Sequence, residues 1–335
     1  MYLQHDGLSQ MAGSAIALYR GLNVALVVPC FNEALAIAEV VDRFRAQLPE
    51  LDIHVFDNHS DDETVEIALS HGAMVHRVSL RGKGNVVRRM FADVDADVYV
   101  MVDGDGTYDA SSVRVLVDRL IDERLDMVVG CRETAVAEVR AAYRPGHQWG
   151  NRLLTESVRR IFGGGFSDML SGYRVLSKRY VKTFPAASKG FEIETELTVH
   201  ALELRMPCAE ELTSYGSRRN GSNSKLSTYR DGLRIIYTIF WLYVSERPLA
   251  FFSLCSLGLA SLSIGLAIPV FIEFFEHGVV PRLPTAVLSA SCMLMAMLAL
   301  LAGLILDNVT RGRQEFKRLM YLAIGRQHGS GGFHR

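Results

Sequence analysis

Short runs of apolar, β-branched residues alternate with longer amphipathic stretches through the first part of the chain. The short runs predict strands at residues 23–28, 53–56, 74–78, 98–102 and 126–131. The stretches between them have the apolar spacing of helices with one buried face. Strands that alternate with helices form a mostly parallel sheet with helices on both faces. We therefore predict an α/β, Rossmann-like, doubly wound fold.

Two long apolar runs follow the alternating region, at residues 249–275 and 285–306. Each is longer than the roughly 20 residues that a helix needs to cross a bilayer. We therefore predict a transmembrane hairpin of two helices over residues 248–306. A buried hairpin of a soluble protein is the alternative, and two such lengths in succession argue against it. The pattern of residues 227–247 predicts an amphipathic helix at the membrane surface.

Basic residues flank the predicted hairpin on one side of the membrane. Arg230, Arg234 and Arg247 precede the first run. The tail, residues 307–335, is also basic, whereas the loop between the runs has only Arg282. Positively charged flanks stay in the cytoplasm, which predicts a multi-pass protein of the cell (inner) membrane with its folded domain in the cytoplasm. Membrane helices often pack with neighbouring copies, which favours a homo-oligomer.

The remaining segments complete the predicted organisation. Residues 1–21 lack the basic start and the apolar core of a signal peptide, so we interpret them as a loose leader. The folded domain then spans residues 22–226. The formal net charge of the 335 residues is −1. That charge gives no overall basic field for a nucleic acid, and we expect no nucleic-acid partner.

Two carboxylates, Asp103 and Asp105, follow the predicted strand at 98–102 and are separated by Gly104. Neighbouring carboxylates repel each other, and a divalent cation relieves that repulsion. Oxygen ligands suit Mg²⁺ or Mn²⁺, and Mg²⁺ is usually shared between carboxylates and substrate phosphates. Because open α/β sheets bind ligands at their carboxyl edge, the motif predicts a metal–diphosphate site. A solvated Asp-Gly turn is the alternative for this motif alone.

Polar residues also follow the other predicted strands. Asn32 and Glu33 follow the first strand and Asp57 the second, where each can accept hydrogen bonds from a base or a ribose. Lys83 lies between two glycines, which let a backbone approach a phosphate closely. Helix capping is the alternative for Asn32 and Asp61. No Walker A spacing and no G-x-G-x-x-G after the first strand is present, which disfavours P-loop and nicotinamide-dinucleotide proteins.

These motifs, in their order and spacing, resemble the donor-binding half of family 2 glycosyltransferases. The motifs are P-x-x-N-E from Pro29, D-N-x-S-D from Asp57, K-G at Lys83 and D-x-D from Asp103. The resemblance is closest to the polyprenyl-phosphate branch, the dolichol-phosphate mannosyltransferase-like enzymes, and covers residues 22–246. It implies a GT-A domain, a nucleotide-sugar donor and Mg²⁺ or Mn²⁺ as cofactor.

The resemblance also implies roles for the donor-site residues, with the nucleoside held by Asp57 and Glu33. The chain departs from the family at two positions: Asn58 stands where many members have a second acid, and Thr107 where many close relatives have Gln. The hydroxyl of Thr107 can still ligate a metal. The expected donor-binding residues are Pro29, Asn32, Glu33, Asp57, Asp61, Lys83 and Asp103, and the expected metal ligands are Asp103, Asp105 and Thr107.

The second half of the domain supplies candidate acceptor chemistry. The segment D-M-L-S-G-Y-R begins at Asp168, and a Gly/Ser-rich basic loop spans residues 215–225. These segments and F-E-I-E also resemble the same branch. Such a loop offers backbone N–H groups and a guanidinium to phosphate oxygens. A solvated helix face is the alternative for most arginines of the preceding segment, which are Arg140, Arg144, Arg152, Arg159 and Arg160. The expected acceptor- or phosphate-binding residues are Arg144, Arg174, Arg218, Ser224 and Lys225.

We expect Asp168 and Asp105 to be catalytic, with Asp168 orienting the acceptor or assisting the proton. The expected activity is that of a metal-dependent, inverting hexosyltransferase of the membrane. It would transfer a hexose from a nucleotide-sugar to polyprenyl (undecaprenyl or dolichyl) phosphate, for cell-envelope glycan or protein glycosylation. One alternative is a glycosyltransferase with a polysaccharide or protein acceptor. Another is a non-catalytic nucleotide-sugar-binding membrane scaffold.

Overall fold

A computed structural model describes residues 17–133, 165–190, 192–216 and 240–325, and the single positions 156, 158, 159, 163 and 237. Within these residues, seven strands form one sheet in the order β3-β2-β1-β4-β6-β5-β7. The strands are β1 Val24–Cys30, β2 Asp52–Asp57, β3 Met74–Arg77, β4 Val98–Met101, β5 Met127–Glu133, β6 Arg174–Ser177 and β7 Cys208–Ser214. The predicted α/β fold with a mostly parallel sheet is confirmed.

Six helices of the described residues belong to the sheet domain, and two longer ones follow it. In the domain they are α1 Ile37–Gln47, α2 Thr64–Ser70, α3 Lys83–Asp93, α4 Val113–Asp122, α5 Lys178–Thr183 and α6 Ile193–Glu203, with a 3₁₀ turn at Ala110–Ser112. The later helices are α7 Pro248–His277 and α8 Leu283–Ala323.

Apolar residues of β1 alternate between the two faces of the sheet. Val24, Leu26 and Val28 belong to the core under α1 and α4. Ala25 and Val27 belong to the core under α3 and α6. Successive side chains of a strand point to opposite faces, so a strand covered on both sides is apolar along its whole length. This two-sided burial explains the uninterrupted apolar run that predicted β1.

The strands bring several loops to one edge of the sheet. β1, β2 and β4 are parallel, so their carboxyl ends lie side by side. β6 is antiparallel to β4, and Arg174 at its start pairs with Met101 at the end of β4. The segment before β6 therefore reaches the same edge. β5 is antiparallel to β6 and parallel to β7. Both β5 and β7 therefore run in the same direction as β4 and end at the same edge. We refer to this as the carboxyl edge.

α7 and α8 form an antiparallel pair with largely exposed apolar surfaces. Ser263 Oγ donates to the main-chain oxygen of Ser289 at 2.7 Å between them. Their most apolar 18-residue windows are only 11% and 17% buried. A core helix of a water-soluble domain would be mostly buried, so this exposure favours the interpretation of both helices as candidate membrane spans.

Parts of the expected N-terminal leader and of the expected C-terminal tail are ordered elements of the structure. Residues 1–16 of the expected leader lie outside the described residues, but the Tyr19 hydroxyl donates to Asp118 on α4 at 2.9 Å and Arg20 pairs with Asp118 at 3.0 Å. The end of the leader is therefore attached to the domain. α8 continues past residue 306. An ion pair between Asp307 and Arg311, one helical turn apart at 2.8 Å, supports this part of the helix. Most of the expected tail is thus helical, up to Ala323.

The last turns of α8 bind the sheet domain. The Tyr321 hydroxyl donates to Asp126 Oδ2 at 2.7 Å. The Arg179 guanidinium lies 4.0 Å from the centre of the Tyr321 ring, and Lys317 pairs with Glu203 at 2.7 Å. We refer to these five residues as the helix joint. Through it, the second candidate span is fixed directly to the folded domain.

Candidate functional site

The D-x-D loop follows β4 at the carboxyl edge. A Cβ at Gly104 would lie 2.5 Å from Cys30 Sγ, so the position between the two carboxylates has room only for glycine. Asp105 is buried, with 5% of its surface exposed. Its Oδ1 accepts the hydroxyl of Thr107 at 2.6 Å and the N–H of Thr107 at 3.2 Å. Thr107 therefore fixes the orientation of the Asp105 carboxylate.

Asp103 lies between a lysine and a glycine. The Lys83 ammonium donates to its Oδ1. On the other side, a Cβ at Gly172 would lie 2.6 Å from Asp103 Oδ2, and the Gly172 N–H donates to the Tyr108 hydroxyl at 2.7 Å. The S-G-Y segment therefore needs glycine because the Asp103 carboxylate fills the adjacent space. The antiparallel entry of β6 is what brings this segment to the D-x-D loop.

Lys83 also pairs with Glu194, whose Oε1 lies 2.6 Å from the ammonium nitrogen, and only 10% and 6% of the two side chains are exposed. Burial alone would lower the pKa of Lys83, but the charges of Asp103 and Glu194 outweigh burial and hold that pKa above its usual value. Burial raises the pKa of Glu194, and the Lys83 charge opposes that rise. The three side chains form one buried ionic cluster.

The glycines beside Lys83 allow close packing within the protein. A Cβ at Gly82 would lie 2.2 Å from the carbonyl oxygen of Lys189, and one at Gly84 would lie 2.1 Å from that of Ser188. The expectation that these glycines bring the backbone close to a phosphate is therefore corrected. The backbone approaches residues 188–189 instead, and the Lys83 side chain points to two carboxylates.

The loops after β1 and β2 are tied together. The Asn32 N–H donates to Ser60 Oγ at 2.9 Å, and Asn32 Oδ1 accepts the N–H of Asp61 at 2.8 Å. Asn32 has a φ of 54°, a conformation that Asn tolerates better than most residues. Asp57 is buried at the end of β2, and its Oδ1 accepts the Ser60 N–H at 3.2 Å. These side chains hold the two loops that the family resemblance predicts to bind the nucleoside.

The other expected donor-site residues lie around the same edge. The Glu33 Cγ would be 3.6 Å from a Cβ at Gly104, which places Glu33 beside the D-x-D loop. The Asp61 side chain is 78% exposed. Pro29 lies within β1, paired with Phe56 of β2. The carboxyl edge therefore presents several acidic side chains together, a charge distribution that attracts a cation.

Asp168 is held by a bidentate ion pair at the end of β5. Arg132 Nε and Nη2 donate to its two carboxylate oxygens, each at 2.7 Å. Burial would raise the pKa of Asp168, but the hydrogen bonds and charge of Arg132 outweigh burial and hold the pKa below its usual value. A carboxylate held in this way stays ionised and is a poor proton acceptor. The pairing favours an orienting role for Asp168 over proton transfer.

Arg174 is completely buried, with 0% of its surface exposed. Its guanidinium donates to the carbonyl oxygens of Ser171 at 3.0 Å, Met169 at 2.6 Å and Glu194 at 3.0 Å. The prediction that Arg174 binds a phosphate is therefore corrected, because its donors are used inside the fold. Arg174 instead holds the segment before β6 against the start of α6.

Four other expected phosphate-binding residues lie outside the described residues: Arg144, Arg218, Ser224 and Lys225. Of the basic loop, only Tyr215 and Gly216 are described, and the Gly216 N–H donates to the carbonyl oxygen of Thr107 at 2.9 Å. The neighbouring residue Tyr215 forms a bridge with Tyr108. The chain therefore enters the basic segment from a point fixed to the D-x-D loop.

Sequence reasoning missed Glu194 and Arg132. Glu194 is one of three glutamates in F-E-I-E-T-E, and only the register of α6 decides that Glu194 is the buried one. Arg132 lies near the end of β5. Its position at the carboxyl end of a predicted strand was the signal that could have identified it, because ligand sites of such sheets form there.

The D-x-D loop fits a divalent cation. Asp103, Asp105 and the Thr107 hydroxyl are oxygen donors of the kind that Mg²⁺ and Mn²⁺ take, and the Lys83 ammonium already pairs with Asp103 as a cation. Within the described residues, no group of three or more His, Cys, Asp or Glu side chains is arranged to hold a metal ion. Two carboxylates would therefore share such an ion with oxygens of the substrate, as is usual for Mg²⁺.

The chain is similar in sequence to known proteins over most of its length. The family model described as Glycosyl transferase family 2 matches residues 25–184. An uncharacterized protein of Shigella flexneri is 56% identical over 155 residues, which are 46% of this chain and 95% of that protein. Glycosyltransferase AglJ of Haloferax volcanii is 31% identical over 88% of this chain and 97% of its own length. Polyprenol monophosphomannose synthase of Mycolicibacterium smegmatis is 26% identical over 65% and 86%.

A solved structure shares the fold of the sheet domain. It is glucosyl-3-phosphoglycerate synthase of Mycobacterium tuberculosis in complex with Mn²⁺, UDP-glucose and phosphoglyceric acid. The TM-score is 0.52 at 22% identity, over 66% of this chain and 79% of the synthase. At this identity the likeness concerns the fold alone, and it confirms the predicted GT-A-like arrangement.

Proposed function

Because the chain belongs to glycosyl transferase family 2, we propose that it transfers a hexose from a nucleoside-diphosphate hexose to polyprenyl phosphate, with inversion at the sugar carbon. The observation that supports this most directly is a D-x-D loop in which Asp103 pairs with Lys83, in a domain that the second of two candidate membrane spans contacts directly. The relative from Mycolicibacterium smegmatis is a polyprenol monophosphomannose synthase, which supports a lipid acceptor.

The donor would bind along the carboxyl edge. Asp57 and Glu33 would accept hydrogen bonds from the nucleoside, and Asp103 with Asp105 would hold a divalent cation on the diphosphate, with Thr107 fixing Asp105. The cation would supply Lewis-acid stabilisation of the departing diphosphate. The M. tuberculosis synthase was solved with both Mn²⁺ and UDP-glucose, which supports this kind of donor.

The acceptor needs little activation by the protein. A phosphate monoester has a second pKa of about 6, so it is largely ionised near neutral pH and is already a nucleophile. The ion pair between Asp168 and Arg132 then serves to orient the acceptor or the loops around it. The residues proposed to bind the acceptor phosphate are Arg144, Arg218, Ser224 and Lys225.

The membrane arrangement follows from the same proposal. α7 and the first part of α8 would cross the inner membrane, with the sheet domain and the C-terminus in the cytoplasm, as the distribution of Lys and Arg indicates. Residues 227–247 would lie along the membrane surface, and residues 240–246 of this segment are helical. The domain would then meet the phosphate group of a polyprenyl lipid at the bilayer surface.

The test is a transfer assay with the purified full-length protein in detergent. Polyprenyl phosphate, Mg²⁺ or Mn²⁺ and a panel of labelled nucleotide-sugars are supplied, and label extracted into the organic phase is counted. We expect lipid-borne label from one donor, lost with EDTA. Absence of lipid-borne label from every donor, with a folded protein that binds nucleotide, would contradict the lipid acceptor.

A further inference from the structure

The ammonium of Lys83 is shared between two carboxylates with different surroundings. Asp103 belongs to the D-x-D loop, whereas Glu194 lies in the first turn of α6. The backbone of Glu194 is fixed by the buried guanidinium of Arg174, which donates to its carbonyl oxygen at 3.0 Å. The position of the Glu194 backbone therefore does not depend on what the D-x-D loop binds.

Glu194 uses only one of its two carboxylate oxygens. Oε1 accepts the Lys83 ammonium at 2.6 Å, while the buried Oε2 has no hydrogen-bond partner among the described residues. A buried acceptor without a partner is costly to the folded state, and such groups need a reason. An oxygen that gains its partner when the site is loaded supplies that reason.

A divalent cation on the D-x-D loop would compete with Lys83 for Asp103. Both are positively charged, so they repel each other when they share one carboxylate. Lys83 cannot move into water readily, because only 10% of its side chain is exposed. The neighbouring carboxylate with an unused oxygen is Glu194, and a small shift of the ammonium would bring it to both oxygens.

Resting on the metal site of the proposed function, we propose that Glu194 is a positioning residue that takes over the Lys83 ammonium when a divalent cation binds Asp103. Glu194 thereby lowers the competition between lysine and metal. The group acts on the cation through Lys83 and does not itself touch the substrate.

The test measures Mn²⁺ affinity directly, by electron paramagnetic resonance of free Mn²⁺ titrated with full-length protein in detergent, with and without UDP or GDP. Glu194→Gln keeps the size of the side chain but removes the charge that receives Lys83. We expect it to weaken Mn²⁺ binding by about tenfold or more, as the loss of partners around metal ligands usually does.

The matched control is Glu203→Gln. Glu203 is also buried, pairs with a lysine through one oxygen and has a second oxygen without a partner among the described residues. It lies at the helix joint, away from the D-x-D loop, so we expect Glu203→Gln to leave Mn²⁺ affinity unchanged. A fall in affinity in both variants would overturn the proposal, because it would reflect a general loss of structure.

Lys83→Met gives a second, opposite prediction. It removes the ammonium that shares Asp103 and repels the cation, so we expect Mn²⁺ to bind about tenfold more tightly. Weaker or unchanged Mn²⁺ binding in Lys83→Met would overturn the proposal even if Glu194→Gln fails to fold. Unchanged Mn²⁺ affinity in Glu194→Gln, with binding lost in Asp105→Asn, would overturn it and leave the proposed function intact. No Mn²⁺ binding by the unsubstituted protein, with either nucleotide, would overturn both.

Discussion

Two buried carboxylates at different ends of the domain, Asp126 and Glu194, use their oxygens in different ways. At the helix joint, Asp126 Oδ1 accepts Ser177 Oγ at 2.8 Å and Arg179 Nη2 at 2.9 Å, and Oδ2 accepts Arg179 Nη2 and the Tyr321 hydroxyl, each at 2.7 Å. At the site, Glu194 accepts one lysine and leaves Oε2 without a partner.

The difference separates a carboxylate that holds structure together from one that is arranged to exchange partners. An open oxygen alone does not make that distinction, because Glu203 at the helix joint has one too. What distinguishes Glu194 is that its lysine also binds a carboxylate of the D-x-D loop. A buried ion pair with fixed partners is costly to break, because either charge alone stays buried without compensation, whereas a shared cation can be redistributed when a ligand arrives.

The largest expected effect is on turnover, after a substitution in the D-x-D loop. Asp105→Asn keeps the shape of the side chain and an acceptor for the Thr107 hydroxyl, but removes a charge that would hold the proposed metal ion. A metal contributes several kcal/mol to the transition state, so we expect turnover to fall by about 1,000-fold, with the melting temperature nearly unchanged. Initial rates of lipid-linked product formation test this. Normal turnover would remove Asp105 from the metal site.

At the helix joint the expected effect is on stability instead. Asp126→Ala leaves the Arg179 guanidinium, only 14% exposed, without its carboxylate. Removing one partner of a buried ion pair costs about 3–5 kcal/mol, so we expect a clear fall in the melting temperature. The turnover of the remaining folded molecules should match that of the unsubstituted protein. A loss of turnover with no loss of stability would show that the helix joint affects the activity of the D-x-D site directly.

We expect the folded protein to become less stable in acid because of a histidine on α6, the helix that runs from Glu194 to Glu203. His200, on α6 between Glu194 and Glu203, is 2% exposed, and burial, with a smaller effect of Lys317, lowers its pKa to about 3. The unfolded chain, with a pKa near 6.5, therefore takes up a proton first as the pH falls. Stability is complete above about pH 6.5 and is lost progressively down to about pH 3, by about 2 kcal/mol between pH 7 and pH 5.

The control for this pH dependence is His200→Gln, which can keep the hydrogen bond to Thr183 Oγ1 that His200 makes at 3.2 Å. Melting temperatures of both proteins are compared between pH 7 and pH 5. We expect the variant to lose less stability over this range. Equal slopes would contradict this prediction, because they would mean that His200 has the same pKa in the folded and the unfolded protein.

The smallest effect is expected for Tyr321→Phe. The substitution removes one hydrogen bond to Asp126 but keeps the aromatic ring beside Arg179. A single hydrogen bond to a charged group contributes about 1.5–3 kcal/mol, and the remaining Asp126 partners reduce this loss to about 1 kcal/mol. Thermal melting measures it. A loss as large as that of Asp126→Ala would show that the hydroxyl, not the ion pair, holds the joint.

Much of the sheet could be predicted because its signals are local. The apolar run of β1 and the D-x-D motif after β4 each lie within a few residues of sequence. The direction of the antiparallel strand β6 was not predictable, because it depends on the pairing of β6 with β4 and β5, which are distant in sequence. The burial of Arg174 depends on carbonyl groups of two other segments, and nothing next to it in sequence indicates them. The choice of Glu194 over its neighbours likewise depends on helix register and packing.

The length of α8 has a consequence for how substrates meet. Its 41 residues make a rod of about 60 Å, about twice the thickness of a bilayer core, and its far end is fastened to the domain by Tyr321 and Lys317. For a lipid acceptor, the rod sets the height of the carboxyl edge above the membrane. The protein and the lipid would then meet by lateral diffusion within a plane, while the proposed nucleotide-sugar would arrive by diffusion in three dimensions from solution.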